Sequence, residues 1–300
     1  MTYEKAVEEF LFYCKFERNL STKTIKSYTI DLNQFYDFIG DVKIEEIDKT
    51  IIKSYVKFMF EKDLKAKSIK RKVATLKALF NYLTYEEMIE FNPFHKVRLK
   101  FEIPKNLPKV IKKNDLKKIL KKVYTIYDNT DISSYQYQVI LRDLVIIELL
   151  FFTGIRVSEL IGLKKENIDF KNQMIIINGK RQKERVVYIN TNISKLLKEL
   201  IKLDHPYIFT NRLHKALSEQ SVRGIVDKYR KLAKIDSKIT PHMFRHTFAS
   251  MMLEEGIDIR YIQSMLGHSS ILTTQIYTHI SKNYKRMILK KHPREKFVIY

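Results

Sequence analysis

The sequence predicts a mainly α-helical protein of two domains, the second carrying a small antiparallel β-sheet. Three observations lead there. Apolar residues recur at helical spacing through the first hundred positions, Pro104 and Pro108 then interrupt every pattern, and the stretch beyond is helical apart from one pair of short β-rich runs. A length of 300 residues fits about two domains, and 45% hydrophobic residues suffice for two cores.

Ser21 or Thr22 caps a helix whose apolar stripe is Ile25, Tyr28, Leu32, Phe35 and Ile39. A second stripe, Ile69, Val73, Leu76, Phe80 and Leu83, is ringed by Lys67, Lys70, Arg71, Lys72 and Lys77, which form either a solvated face or a phosphate-contacting one. The prolines place a linker at 104–109, between an N-terminal domain at 1–103 and a second domain at 110–300. Asn114 or Asp115 then caps a Lys-rich helix, and 144–152 reads as a buried helix ended by Gly154. Arg156 opens the next segment, with Val157, Leu160 and Ile161 turning inward. The runs 174–178 and 185–189 flank a polar turn, so Lys180 sits at the tip of a hairpin. Thr240 and Pro241 are an N-cap and first-turn pair, which starts a helix at His242. His242 and Arg245 share one of its faces, while Phe244, Phe248, Met251 and Met252 turn to the core. His268 follows Gly267 at a helix end, and 281–291 reads as one more basic helix.

The charge balance names a class of partner. With 56 Lys plus Arg against 34 Asp plus Glu, the net charge is +22 and the pI about 9.7. Coding bias toward Lys explains part of the lysine count, but not why acids fail to balance bases. Residues 1–108 carry a net +4 and residues 109–300 a net +18, so the field that would attract a polyanion is concentrated in the second domain. Cys14 is the only cysteine, which excludes an internal disulfide and a Cys-based zinc site and fits a reducing cytoplasm. The start MTYEKAVEEF lacks a signal pattern, and the most apolar stretch is broken by Glu148, so neither export nor a membrane span is expected.

Six residues carry chemistry. Arg156 lies in TGIRVSEL, Lys180 in INGKRQKERVV, His242 and Arg245 in TPHMFRH, His268 in LGHSS and Tyr277 in QIYTHI. They supply two fixed cations, one mobile cation, two imidazoles and a phenol. Phosphoryl transfer spreads negative charge over non-bridging oxygens, and the planar fork of arginine binds such oxygens in bidentate fashion. A tyrosine hydroxyl can attack covalently once a base or a positive site helps remove its proton. The resulting phosphotyrosine ester conserves the energy of the broken bond, so a second hydroxyl can reseal the strand without ATP. No Asp/Glu cluster or phosphate-binding Gly loop is apparent, and no cofactor and no metal are expected. His242 and His246 have the i, i+4 spacing of zinc proteases, but Met243 stands where that motif needs Glu.

These motifs closely resemble those of the tyrosine recombinases, the phage-integrase family, and particularly its Xer-type members. The likeness runs from the N-terminal helical region to the ending KKHPREKF and fills all six active-site positions. It implies that Arg156 and Arg245 clamp phosphate, that Lys180 is the hairpin lysine, that His242 and His268 fill the histidine positions and that Tyr277 is the nucleophile. Glu159 matches an acidic position that supports the first arginine; Arg181 stands where the family often has Gly. The resemblance further implies a two-domain DNA clamp: an N-terminal SAM-like core-binding domain gripping one side of the duplex, and a catalytic domain. It implies a homo-tetramer, or a hetero-tetramer with a second recombinase, exchanging strands on two double-stranded DNA sites through a Holliday junction. The tail would pack into a neighbouring subunit. No room is left before the core-binding helices for the arm-binding domain of larger integrases, so the expectation is a simple recombinase of the cytoplasm and nucleoid. It would resolve chromosome dimers or move a small element. Arg181, Lys183 and Arg185 are expected on backbone phosphates. A type IB topoisomerase, or a non-catalytic DNA-binding regulator on the same fold, are the alternatives.

Overall fold

The computed structural model describes residues 1–99, 101, 109–178, 184–202 and 207–267. The chain divides into two compact units, Met1–Asn106 and Leu107–Tyr300. The expected linker prolines Pro104 and Pro108 and the basic tail at 281–291 lie outside the described residues.

The first unit is built from α1 (Tyr3–Phe12), α2 (Thr22–Ile39), α3 (Lys49–Glu61) and α4 (Ala66–Tyr85). Ser21 is the N-cap of α2, its hydroxyl accepting from the Thr24 N–H at 3.2 Å. The two apolar stripes face each other: Leu32 and Phe35 of α2 and Ile69, Val73, Leu76, Phe80 and Leu83 of α4 are buried in one core with Tyr3, Phe10 and Tyr55. One acid lies inside that core. Asp31 is fully buried and accepts from Lys72 at 3.2 Å, from Thr75 Oγ1 at 3.0 Å and from Arg71. Lys72 also donates to Gln34, and its side chain is 7% exposed. Of the five basic residues around the stripe, Arg71 and Lys72 thus balance an internal carboxylate, while Lys67, Lys70 and Lys77 are exposed.

The second unit wraps a central helix. α5 (Lys113–Asp128) has Lys112 at its N-cap, so Asn114 and Asp115 lie in its first turn and neither is the cap. α6 (Tyr135–Thr153) packs against α5, α8 (Thr191–Leu200) and α10 (Pro241–Glu254), which explains why 144–153 is buried on every face. Its one buried acid in that stretch, Glu148, accepts from Tyr124 Oη at 2.8 Å. The helix stops at Gly154 in the left-handed conformation (φ +59°). A short helix, α7 (Val157–Ile161), follows with Arg156 at its N-cap. Three antiparallel strands come next in the order β1 (Ile168–Asp169), β2 (Met174–Asn178), β3 (Glu184–Tyr188), with Met174 opposite Tyr188 and Asn178 opposite Glu184. Lys180 belongs to the segment joining β2 to β3, outside the described residues. α9 (Glu219–Leu232) and α10 complete the core, and α11 (Ile259–Leu266) packs on α10 through a small cluster of Phe248, Met252, Ile262 and Leu266. Among the described residues no helix is long and apolar enough to cross a membrane.

Candidate active site

Everything around Arg156 and Arg245 converges on the last turn of α11. The final carbonyls of a helix have no partners within it and carry the negative end of its dipole. Here three successive ones each receive an arginine: Met265 O accepts from Arg185 Nε at 3.0 Å, Leu266 O from Arg245 Nη2 at 2.6 Å, and Gly267 O from Arg156 Nη2 at 2.8 Å. Gly267 ends α11 in the left-handed region (φ +65°), and a Cβ there would lie 3.0 Å from Arg185 Cδ. Glycine therefore admits the Arg185 side chain against the turn.

Arg245 is the buried member. It is 4% exposed, and its other terminal nitrogen, Nη1, donates to Gly154 O at 2.8 Å. Burial, with the neighbouring charges of Arg156 and Arg185, pulls its pKa from 12.5 down to about 10, so the guanidinium stays charged at neutral pH. Gly154 is as tightly placed as its partner: a Cβ would meet Leu266 Cδ2 at 2.8 Å and Phe248 Cδ1 at 2.9 Å. The turn that ends α6 is thereby pressed against the end of α11, and Arg245 ties the two together.

Arg156 is the accessible member, its side chain 39% exposed. It sits at the N-cap of α7 with extended backbone, and Glu159 reaches back to accept from its N–H at 2.9 Å and from its Nη1 at 2.8 Å. The same carboxylate takes a bidentate pair from Arg185, both bonds 2.7 Å. Burial would raise the Glu159 pKa, but the hydrogen bonds from Arg185 and from the Arg156 N–H, with the Arg185 charge and the Arg156 side-chain hydrogen bond, hold it at about 2. Glu159 thus supports Arg156, as the resemblance implied.

Arg185 departs from expectation. It was expected on backbone phosphate, yet its side chain is 12% exposed and spent on Glu159 and Met265. A signal was present in the sequence: strand alternation puts Arg185 on the same face of β3 as Val187, which is buried. The three acceptor carbonyls left no such signal, because any residue type carries a carbonyl.

His242 lies in the first turn of α10, exposed, with its ring edge-on to His246 at 4.6 Å between centroids. Burial, then the charges of His242 and Arg245, lower the His246 pKa below 6.5. Thr240 occupies the N-cap of α10 without a side-chain bond, and Pro241 follows it at the first helical position. Among the described residues no group of three or more His, Cys, Asp or Glu could hold a metal ion. Lys180, Arg181, Lys183, His268 and Tyr277 lie outside the described residues.

Comparison with known proteins gives this arrangement its context. Residues 109–284 match the phage integrase family and residues 7–87 its N-terminal SAM-like domain. The chain is 42% identical to a tyrosine recombinase of Agathobacter rectalis, over 97% of each chain. It is 36% identical to tyrosine recombinase XerC of Staphylococcus aureus, over 96% of this chain and 97% of the other. Its fold is shared with lambda integrase in a tetramer bound to a Holliday junction, with a TM-score of 0.70 at 18% identity, over 91% of this chain and 79% of that one. The class is therefore that of enzymes that cleave and rejoin DNA strands in site-specific recombination. The chain belongs to the phage integrase family of tyrosine recombinases, with Xer proteins among its relatives.

Proposed function

We propose that this recombinase cuts one strand of its DNA site per subunit through Tyr277. Arg156 and Arg245 hold the non-bridging oxygens of the scissile phosphate, where charge accumulates as the phosphoryl group transfers. The Tyr277 oxygen attacks phosphorus as its proton passes to a base at the site, the bond to the 5′ oxygen breaks, and Lys180 donates the proton that the leaving oxygen takes up. His242 and His268 complete the phosphate site from the start of α10 and from the residue after Gly267. The product is a 3′-phosphotyrosine, which the 5′ hydroxyl of another strand reverses. The observation that supports this most is the adjacency of Leu266 O and Gly267 O, which receive Arg245 and Arg156. It draws the two arginines to the two residues that precede His268 in sequence.

Four copies on two duplex sites would exchange strands through a Holliday junction, in the cytoplasm and on the nucleoid, to resolve chromosome dimers or to move a small element. The net +18 of residues 109–300 supports the duplex partner. Binding should weaken about a thousandfold between roughly 50 and 200 mM salt.

A nicked suicide duplex tests the chemistry. Tyr277→Phe should bind it normally and form no covalent adduct, Lys180→Ala should accumulate little product, and EDTA should leave wild-type cleavage intact. Mapping the tryptic peptide that carries nucleotide locates the bond. A label on Tyr284, or an adduct with Tyr277→Phe, would overturn the nucleophile assignment.

A further inference from the structure

Arg185 presents a conflict between charge and position. It is an arginine beside a DNA-cleaving site, yet its guanidinium is turned inward and engaged by protein acceptors through all three of its nitrogens. Glu159 receives four hydrogen bonds on two oxygens: Oε1 from Arg156 Nη1 and Arg185 Nη1, Oε2 from the Arg156 N–H and Arg185 Nη2. Two such oxygens offer about four lone-pair positions, so the carboxylate is saturated. One anion is thereby shared between two guanidinium cations. Without Arg185 the same carboxylate, 8% exposed, would keep Arg156 as its one hydrogen-bonded cation of the pair and would offset more of its charge.

We propose that Arg185 is a positioning residue for strand cleavage: it occupies Glu159 so that the Arg156 cation remains available to phosphate, and it locks the end of α11 to β3. The second half rests on the Met265 contact and on the seat that Gly267 leaves for the Arg185 side chain. β3 and α11 pack together at this point, so the strand that follows the Lys180 segment and the helix end that precedes His268 are held in one register. The low pKa of Glu159 agrees, since Arg185 is the foremost group lowering it. This inference rests on the reading of Arg156 as a phosphate clamp.

The test is single-turnover cleavage of prebound nicked duplex, with DNA affinity and thermal unfolding measured in parallel, for Arg185→Gln, Arg185→Lys, Arg185→Gln with Glu159→Gln, Arg156→Ala, and Arg156→Ala with Arg185→Gln. Arg185→Gln should slow cleavage by about ten- to a hundredfold while DNA affinity changes by less than about threefold. Arg185→Lys, which keeps the charge and loses the fork, should fall between it and wild type. Adding Glu159→Gln to Arg185→Gln should recover about fivefold or more, because no anion is left to quench Arg156. In the Arg156→Ala background Arg185→Gln should add little, since groups acting through one another are not additive.

Wild-type cleavage by Arg185→Gln overturns the proposal, as does a full, additive effect in the Arg156→Ala background. If Arg185→Gln does not fold, the remaining variants decide: the double neutral variant must cleave faster than Arg156→Ala, and equal rates overturn the proposal. Wild-type cleavage by Arg156→Ala would instead overturn the clamp reading itself, whereas an impaired Arg156→Ala beside an unimpaired Arg185→Gln rejects only the role of Arg185.

Discussion

Arg245 donates from Nη2 to the carbonyl oxygen of Leu266 at 2.6 Å, so the buried cation of α10 is fixed by the backbone of α11. Its second donor reaches Gly154 O at the end of α6. A lysine offers its donors from a single nitrogen on a shorter stem, not from two nitrogens of a planar fork. Arg245→Lys should therefore leave a buried carbonyl unpaired and lower stability by about 1–3 kcal/mol. Losing the fork should also slow cleavage by roughly a hundredfold. Urea unfolding and single-turnover cleavage read the two effects, and unchanged stability would show that the two carbonyls do not depend on the fork.

Gly154 is required twice, by its left-handed φ and by the side chains that its Cα faces. Gly154→Ala should cost about 2–4 kcal/mol, the sum of backbone strain and overpacking against Leu266 and Phe248. Gly162, which has an ordinary φ and whose nearest neighbour to an added Cβ is 3.4 Å away, is the control. Gly162→Ala should stay within about 1 kcal/mol of wild type by denaturant unfolding.

Glu159 makes stability depend on acid. Its folded pKa, about 2, lies below the ordinary carboxylate value of 4.5, so the unfolded chain binds the proton first. The stabilisation is present above pH 4.5 and is lost as pH falls from there toward 2. It amounts to roughly 2–3 kcal/mol. Glu159→Gln should be less stable than wild type at pH 7 and should lose less stability between pH 5 and about 3. Parallel pH curves for the two proteins would remove Glu159 from the acid limb.

In the first unit, Lys72 and the exposed Lys70 should behave differently although they are neighbours but one. Lys72 serves Asp31, so Lys72→Met should lower stability and leave the salt dependence of DNA binding unchanged. Lys70→Gln should leave stability alone and reduce the slope of log K against log salt by about one. Asp31→Asn should cost about 3–5 kcal/mol, because it leaves Lys72 buried beside no anion. An equal loss of slope for Lys72→Met and Lys70→Gln would place Lys72 on the DNA face after all.

Much of this molecule was fixed by pattern. The 3.6-residue recurrence of Ile69, Val73, Leu76, Phe80 and Leu83 determined a helix and its buried face, because only that spacing puts five apolar side chains on one stripe. The β-rich runs 174–178 and 185–189 around a polar turn determined the hairpin, and Gly154 and Gly267 marked helix ends because only glycine enters the left-handed region cheaply. The resemblance to the tyrosine recombinases likewise singled out Arg156, Glu159, His242 and Arg245. What the sequence left undecided was which cations serve DNA and which serve the protein. Arg71 and Lys72 read equally as solvated or phosphate-contacting and Arg185 as a phosphate contact, yet Asp31 pairs with the first two and Glu159 with the third, 40 residues from Arg71 and 26 from Arg185. Such pairings arise only when α2 meets α4 and when α7 meets β3. The gathering of Arg156, Arg185 and Arg245 on Met265, Leu266 and Gly267 is likewise a product of tertiary structure. Its acceptors are backbone carbonyls, identical for every residue type, and only the docking of α11 against α10 and β3 brings them within reach.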